Sequence, residues 1–170
     1  ARLRADRAVA LAGARAQIMG VYSAHLVPVV AEAMRLLGVR HAFVVHGAAT
    51  AAAGMDELSI SGPSQIAEVR GNDITFGQIT PEELGLPRAP IEDLSGGNAE
   101  NNADVLRAIF FGQLGARRDV VLLNTAAVLI TAGLVSAPDL LGALRAGIQL
   151  AASTLDSGAV TTLVSALSRT

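Results

Sequence analysis

A strand–helix–strand pattern near the start of the chain constrains the fold more than any other feature. Residues 17–22 form a short apolar segment, and Ser23 is the predicted N-cap of a helix over residues 24–37, where apolar residues recur at helical spacing. Gly38 is expected to end this helix, and a second apolar run, residues 42–45, follows closely. Because the turns are short, the pattern predicts a βαβ unit with parallel strands and a right-handed crossover.

Two adjacent acidic residues, Asp56 and Glu57, follow the second strand after a loop of small residues. In open α/β sheets, ligands collect outside the carboxyl ends of the strands. Carboxylate oxygens suit a divalent cation that is shared with a phosphate-bearing ligand, so this loop is a candidate metal site. A solvated surface turn is the other interpretation, because adjacent exposed acids are common in proteins.

Two further features allow a functional or a structural interpretation. His46, at the end of the second strand, could act as a general base near neutral pH. No partner that would orient it is visible, so a histidine hydrogen-bonded to neighbouring backbone is favoured. Gly96 and Gly97 precede a helix capped by Asn98, and their amides could face an anion. Ordinary turn chemistry is again the favoured interpretation.

The rest of the chain predicts one hairpin followed by helices. Residues 65–70 and 74–79 alternate in polarity around a Gly-Asn-Asp turn, which predicts an antiparallel hairpin. Thr80-Pro81-Glu82-Glu83 has the pattern of a capping box at the start of a short helix. The longer helices are predicted over residues 98–111, 119–132, 137–155 and 158–167.

We therefore expect an α/β fold with a mixed, mainly parallel sheet of at least four strands, an antiparallel hairpin and flanking helices. A doubly wound parallel sheet is the alternative, and the hairpin argues against it. Residues 17–170 are assigned to this domain, whereas residues 1–16 are left unassigned.

Composition excludes several classes of chemistry. All 13 basic residues are arginine, which excludes a lysine Schiff base and the lysine of a Walker A loop. Cysteine is absent, so disulfides, thiolate nucleophiles and cysteine-ligated zinc are excluded, and the three histidines lack zinc-ligand spacing. The net charge of -2, with both signs interspersed, predicts no nucleic-acid or anionic-membrane partner.

Hydropathy favours a water-soluble chain. The longest apolar run, residues 120–135, is interrupted by Asn124, Thr125 and Thr131 and is shorter than the roughly 20 residues of a membrane span. It predicts a helix that is buried on most sides. No clear signal peptide precedes it, and a cytoplasmic location is expected.

Several motifs occur together in one order: VVHG, MDELS, GPSQIAEVRGNDI, ITPEELGL and LSGGNAENNADVLRAIFFGQLGARRDVVLLNTA. This series resembles the carboxyl-terminal α/β part of the anthranilate phosphoribosyltransferases, within the glycosyltransferase and nucleoside phosphorylase class II-like superfamily. The tail LLGALRAGIQLAASTLDSGAVTTLVSAL is similar to the closing helices of that family. The resemblance extends over residues 17–167.

The resemblance implies an activity and a cofactor. The family transfers a phosphoribosyl group from phosphoribosyl pyrophosphate (PRPP) to anthranilate in tryptophan biosynthesis and releases pyrophosphate. By match to MDELS, Asp56 and Glu57 would hold the Mg²⁺ that accompanies the pyrophosphate. The family also implies a homodimer for the longer protein.

The same resemblance marks what this sequence does not contain. The family's GTGGD loop, its KHGNR-like segment, its GPLTNP segment and its amino-terminal helical domain normally precede the strand at residues 17–22. The chain is therefore expected to be part of a longer enzyme and to be inactive alone. A non-catalytic binding or scaffold domain of the same fold, and a transferase with another aromatic or pyrimidine acceptor, are the alternatives.

Overall fold

Strands and helices alternate at the start of the chain, and its second half is helical. The computed structural model describes residues 16–50 and 53–168, so the unassigned segment lies outside the described residues except for Ala16. The strands are β1 (Ala16–Gly20), β2 (His41–Ala48), β3 (Gly54–Met55), β4 (Ser64–Arg70) and β5 (Asp73–Ile79). The helices are α1 (Leu26–Leu36), α2 (Ala99–Phe110), α3 (Ala116–Thr131), α4 (Leu140–Asp156) and α5 (Ala159–Leu167), with 3₁₀ helices at Glu82–Leu84 and Ile91–Leu94.

The strands form one sheet in the order β1-β2-β4-β5, and β3 pairs with the carboxyl-terminal end of β2. The predicted βαβ unit is confirmed, because β1 and β2 are parallel. The predicted hairpin is also confirmed, because β4 and β5 are antiparallel. The mixed sheet is therefore as expected, but its balance differs, since β2 pairs antiparallel with both β3 and β4. The described strands are thus not mainly parallel, because a loop rather than a crossover helix connects β2 to β4.

Burial of β2 on both faces explains its continuous apolar run. Phe43 and Val45 face one side and pack in a cluster with residues of α3 and α4. Ala42 and Val44 face the other side and pack against α1. Successive side chains of a strand point to opposite faces, so residues 42–45, which are covered on both sides, are all apolar.

The helix ends follow the predicted signals only in part. Helix α3 begins at Ala116, three residues before the predicted start, and α4 begins at Leu140, three residues after it, with Asp139 as its N-cap. Gly38 has a φ of 74°, as expected of a residue that ends a helix in the left-handed region. Asn98 caps α2 by accepting a hydrogen bond from the Asn101 amide, as predicted. Ser23, however, does not cap α1: its hydroxyl bonds to His25 Nδ1 at 2.8 Å, and the helix begins at Leu26. The helix starts later than expected because residues 23–27 form a turn that precedes the regular helix.

The predicted capping box at Thr80 is present. Glu83 Oε2 accepts from the Thr80 amide at 2.7 Å, and the Glu83 amide approaches Thr80 Oγ1 at 3.4 Å. These contacts lead the chain out of β5 into the first 3₁₀ helix, which ends at Gly85 with a φ of 75°.

Helices α3 and α4 pack together above the sheet and are joined by an ion pair between a buried arginine and an exposed aspartate. The Arg118 side chain is 5% exposed, and its Nη2 lies 2.8 Å and 2.9 Å from the two carboxylate oxygens of Asp156. This contact joins the start of α3 to the end of α4.

No single described helix is long and apolar enough to span a membrane, although α4 and α5, bent by 64°, pass that test as a pair by length and composition.

We expect Leu144→Ala to lower the free energy of unfolding by about 2–5 kcal/mol, because Leu144 is fully buried between the sheet and α3. The matched control is Leu163→Ala on α5, where the side chain is 60% exposed and the loss should stay within about 0.5 kcal/mol. Urea unfolding followed by circular dichroism measures both variants. Equal losses would contradict the assigned packing of α4.

Candidate metal-binding site

The acidic pair lies where β1 and β2 end. Asp56 and Glu57 follow the short strand β3 directly, and both residues are exposed. Their carboxylates form no hydrogen bond or ion pair with residues 16–50 and 53–168. The position at the carboxyl ends of two parallel strands agrees with the predicted place for a ligand.

Two strand glycines bring the backbone of this pair against the sheet. An ideal Cβ built on Gly20, the last residue of β1, would overlap the Asp56 carbonyl oxygen. A Cβ on Gly47 would overlap the Glu57 carbonyl oxygen. Any side chain at either position would displace the acidic segment, so glycine is required for this close approach.

An asparagine from α3 holds the residue that follows the pair. The Leu58 amide donates to Asn124 Oδ1 at 3.0 Å, and Asn124 Nδ2 donates to the Leu58 carbonyl at 2.9 Å. The Leu58 side chain is buried in the cluster beneath α3. The main chain of this loop is therefore fixed although its carboxylates are exposed.

A serine network continues the loop into β4. Ser59 Oγ donates to the Ala48 carbonyl at 2.6 Å and accepts from the Ser61 amide at 2.9 Å. The Ser59 amide donates to Ser64 Oγ, also at 2.9 Å. These bonds satisfy backbone groups in the irregular segment between β3 and β4, where no regular turn would pair them.

His46 has the structural role that the sequence favours. Its Nδ1 lies 2.9 Å from the Val21 carbonyl oxygen, and since a carbonyl only accepts, Nδ1 carries the proton. Gly54 packs against the ring so closely that a Cβ there would overlap His46 Cε1. The ring thus connects the end of β1 to β3 and supports the loop that carries the acidic pair.

The glycine pair before α2 also has the structural role that the sequence favours. The Gly97 amide donates to Asn102 Oδ1 at 2.7 Å, and Asn102 Nδ2 donates back to the Gly97 carbonyl at 3.1 Å. A Cβ on Gly96 would lie 2.8 Å from the same Oδ1. The Asn102 side chain therefore occupies the place that an anion would need at the Gly97 amide.

The donor set at the acidic pair fits Mg²⁺ better than zinc. Within residues 16–50 and 53–168, no three His, Asp or Glu side chains cluster closely enough to hold a metal ion. Mg²⁺ commonly uses one or two carboxylates and completes its coordination with water and substrate phosphates. Asp56 and Glu57, exposed and without partners among the described residues, are suited to that mode of binding.

A cavity of about 710 Å³ lies between α2 and α5. Neither Asp56 nor Glu57 lines it, so this cavity is separate from the candidate metal site.

Comparison with known proteins establishes the family. Residues 9–161 match the family model described as glycosyl transferase family, a/b domain. The chain belongs to this family. The resemblance found in the motifs is confirmed, since the curated relatives of this glycosyl transferase domain include many anthranilate phosphoribosyltransferases.

Individual relatives match over most of this glycosyl transferase domain but over less than half of their own length. The anthranilate phosphoribosyltransferase of Parvibaculum lavamentivorans is 49% identical over 143 residues, which cover 84% of this chain and 39% of that protein. The crystal structure of the Thermus thermophilus enzyme matches with a TM-score of 0.72 and 35% identity, over 86% of this chain and 40% of that one. The Saccharomyces cerevisiae enzyme in complex with PRPP and Mg matches with a TM-score of 0.69 and 25% identity. This match covers 84% of this chain and 39% of that one.

Sequence reasoning missed the residues that hold the acidic pair in place. Gly20 and Gly47 carry a usable signal, because a glycine inside a strand indicates close backbone approach. Asn124 stands out in the sequence only as an interruption of an apolar run. A polar residue inside such a run indicates a specific buried hydrogen bond, but the partner 66 residues away is not visible in sequence.

We expect Gly20→Ala to destabilise the protein by about 1–3 kcal/mol, because the new methyl group would overlap the Asp56 main chain. Gly77→Ala on β5 is the matched control: its Cβ would meet only Leu140 Cδ2, at 3.9 Å. That variant should change stability by no more than about 1 kcal/mol, in the stabilising direction. Urea unfolding compares the two, and a Gly20→Ala variant as stable as the control would refute the close approach.

Proposed function

We propose that this domain supplies the metal-binding part of an anthranilate phosphoribosyltransferase, which transfers the phosphoribosyl group of PRPP to anthranilate in tryptophan biosynthesis. The match to the glycosyl transferase a/b domain carries the proposal, together with the activity named for the relatives. The exposed acidic pair at the carboxyl ends of β1 and β2 supports it independently, because ligands of α/β sheets bind at that edge.

Asp56 and Glu57 are the proposed metal ligands, and Mg²⁺ is the proposed cofactor. The Saccharomyces cerevisiae relative that was solved with PRPP and Mg supports this choice. When bound, the ion would offset the negative charge that develops on the departing pyrophosphate. The two carboxylates would hold the ion at the sheet edge, and their exposure leaves room for the phosphates of the substrate.

The other parts of the proposal concern the longer enzyme. The residues that bind the ribose and anthranilate are proposed to come from segments outside this sequence, since the chain spans about 40% of the length of its relatives. A site assembled from two parts loses most of its positioning when one is missing. A homodimer of the longer enzyme is proposed from the family resemblance alone.

The metal-binding proposal is tested with Mn²⁺ as a paramagnetic substitute for Mg²⁺. We expect the double variant Asp56→Asn/Glu57→Gln to weaken Mn²⁺ binding in the presence of PRPP by at least about tenfold, or about 1.4 kcal/mol. Electron paramagnetic resonance titration measures free Mn²⁺ directly. The physical reason is the loss of both carboxylate charges from a cation site.

A second pair of adjacent exposed acids provides the control. Glu92→Gln/Asp93→Asn, in the second 3₁₀ helix, removes the same charge at a position outside the loop that carries Asp56 and Glu57. This variant should bind Mn²⁺ like the unchanged chain. Equal binding by both double variants would show that Asp56 and Glu57 are not the ligands. A longer form that also carries the family's preceding segments and still ignores Mn²⁺ and PRPP would favour the non-catalytic binding domain.

The catalytic proposal is tested by anthranilate fluorescence, which decreases as the amine is consumed. With PRPP and Mg²⁺, the 170-residue chain alone should leave anthranilate unchanged, whereas a longer form that also carries the family's preceding segments should consume it. Turnover by the chain alone would show that no further segment is needed. A longer form that uses PRPP with another aromatic amine and not with anthranilate would correct the acceptor.

A further inference from the structure

The two candidate ligands have no anchor of their own. Asp56 and Glu57 are exposed, and their carboxylates contact no hydrogen-bonding partner in the described part of the chain. A side chain without a partner takes its mean direction from the backbone that bears it. The groups that fix the main chain over residues 56–58 therefore determine where the two carboxylates point.

The peptide that joins Glu57 to Leu58 is held at both of its polar atoms. Its carbonyl oxygen lies against Gly47, and its N–H donates to Asn124 Oδ1 at 3.0 Å. The preceding peptide is held too, because the Asp56 carbonyl lies against Gly20. Since both peptides that flank Glu57 are restrained, its φ and ψ have little freedom.

Both polar atoms of the Asn124 amide form hydrogen bonds. Its Oδ1 accepts from the Leu58 amide, and its Nδ2 donates to the carbonyls of Leu58 and Val120, at 2.9 Å and 3.0 Å. The three contacts determine which way the amide is turned. Val120 lies one helical turn earlier on α3, so this bond fixes the Asn124 side chain relative to its own helix.

Asn124 is a polar residue among apolar neighbours. Leu123, Ala126 and Ala127 on the same helix are fully buried in the core beneath α3. A primary amide in such a position is unfavourable unless its hydrogen bonds are satisfied, and here the loop backbone satisfies them. The helix that covers the sheet is thus directly connected to the residue that follows the acidic pair.

We infer, on the basis of the metal-binding function proposed above, that Asn124 is a positioning residue for the metal site. It holds the Glu57–Leu58 peptide in place and thereby aims the two carboxylates at one cation. It does not touch the cation itself. Residues that orient metal ligands from outside the coordination shell commonly contribute 10–100-fold to metal affinity, so the expected effect of removing it is about tenfold.

The test compares Asn124→Ala with Leu122→Ala in the 170-residue chain. Leu122 lies two residues earlier on α3 and packs in a cluster with Ile109, Ala151 and Leu155 that contains no residue of the metal loop. Both substitutions destabilise the fold, but only Asn124→Ala releases the Leu58 backbone. Mn²⁺ affinity in the presence of PRPP is measured by electron paramagnetic resonance, under conditions where circular dichroism shows each variant folded.

We expect Asn124→Ala to raise the Kd for Mn²⁺ about tenfold, and Leu122→Ala to leave it within about twofold. Hydrogen exchange of the Leu58 amide is the second readout and should become faster in Asn124→Ala alone. If Asn124→Ala does not fold, Asn124→Gln replaces it: this variant keeps the amide one methylene further out, and it should weaken Mn²⁺ binding to a smaller extent.

The outcomes separate this inference from the function on which it rests. If the unchanged chain and Asp56→Asn/Glu57→Gln bind Mn²⁺ equally, the proposed metal site is wrong and the role of Asn124 is overturned with it. If the acidic pair is required but the Asn124 variant keeps the original Mn²⁺ affinity while its Leu58 amide exchanges faster, only the positioning role is overturned. An equal loss of affinity in Leu122→Ala would also overturn it, because general destabilisation would then explain the effect.

Discussion

The burial of β2 on both faces is the constraint on which the rest of this structure depends. Phe43 and Val45 are buried against α3 and α4 on one face. Ala42 and Val44 are buried against α1 on the other. Packing on both faces positions α1, α3 and α4 against β2. It thereby positions α3 over the sheet near the carboxyl end of β2. Hydrophobic burial on two sides therefore sets the geometry within which the polar contacts of the loop form.

The loop that carries the acidic pair shows how a rigid backbone can present free side chains. Its main chain is held by glycine contacts at the strand ends, by Asn124 from α3 and by the Ser59–Ser64 contact. Its carboxylates remain exposed and unpaired with the described residues. A cation that binds through few protein ligands benefits from such an arrangement, because little backbone conformational entropy remains to be lost on binding.

The structural interpretations of His46 and Gly97 illustrate why isolated motif residues were weak guides to function. Both are bonded within the protein, to the Val21 carbonyl and to the Asn102 side chain respectively. Each had a functional interpretation that its chemistry allowed. For Gly97, the Asn102 side chain occupies the amide that an anion would need. For His46, the Val21 carbonyl is the backbone partner that the structural interpretation expects, and it fixes the tautomer of the ring.

Local patterns in the sequence were sufficient for most of the elements and for the position of the acidic pair along the chain, but not for the short strand β3 or the 3₁₀ helix at Ile91–Leu94. The βαβ unit, the hairpin, the capping box at Thr80 and the Asn98 cap depend on spacing and turn chemistry between near neighbours. Tertiary structure alone decided the direction of β4 against β2, the start of α1 beyond Ser23, and the pairing of Asn124 with Leu58. These features join residues that are distant in sequence or compete with local signals, and their energies depend on what the fold brings into contact.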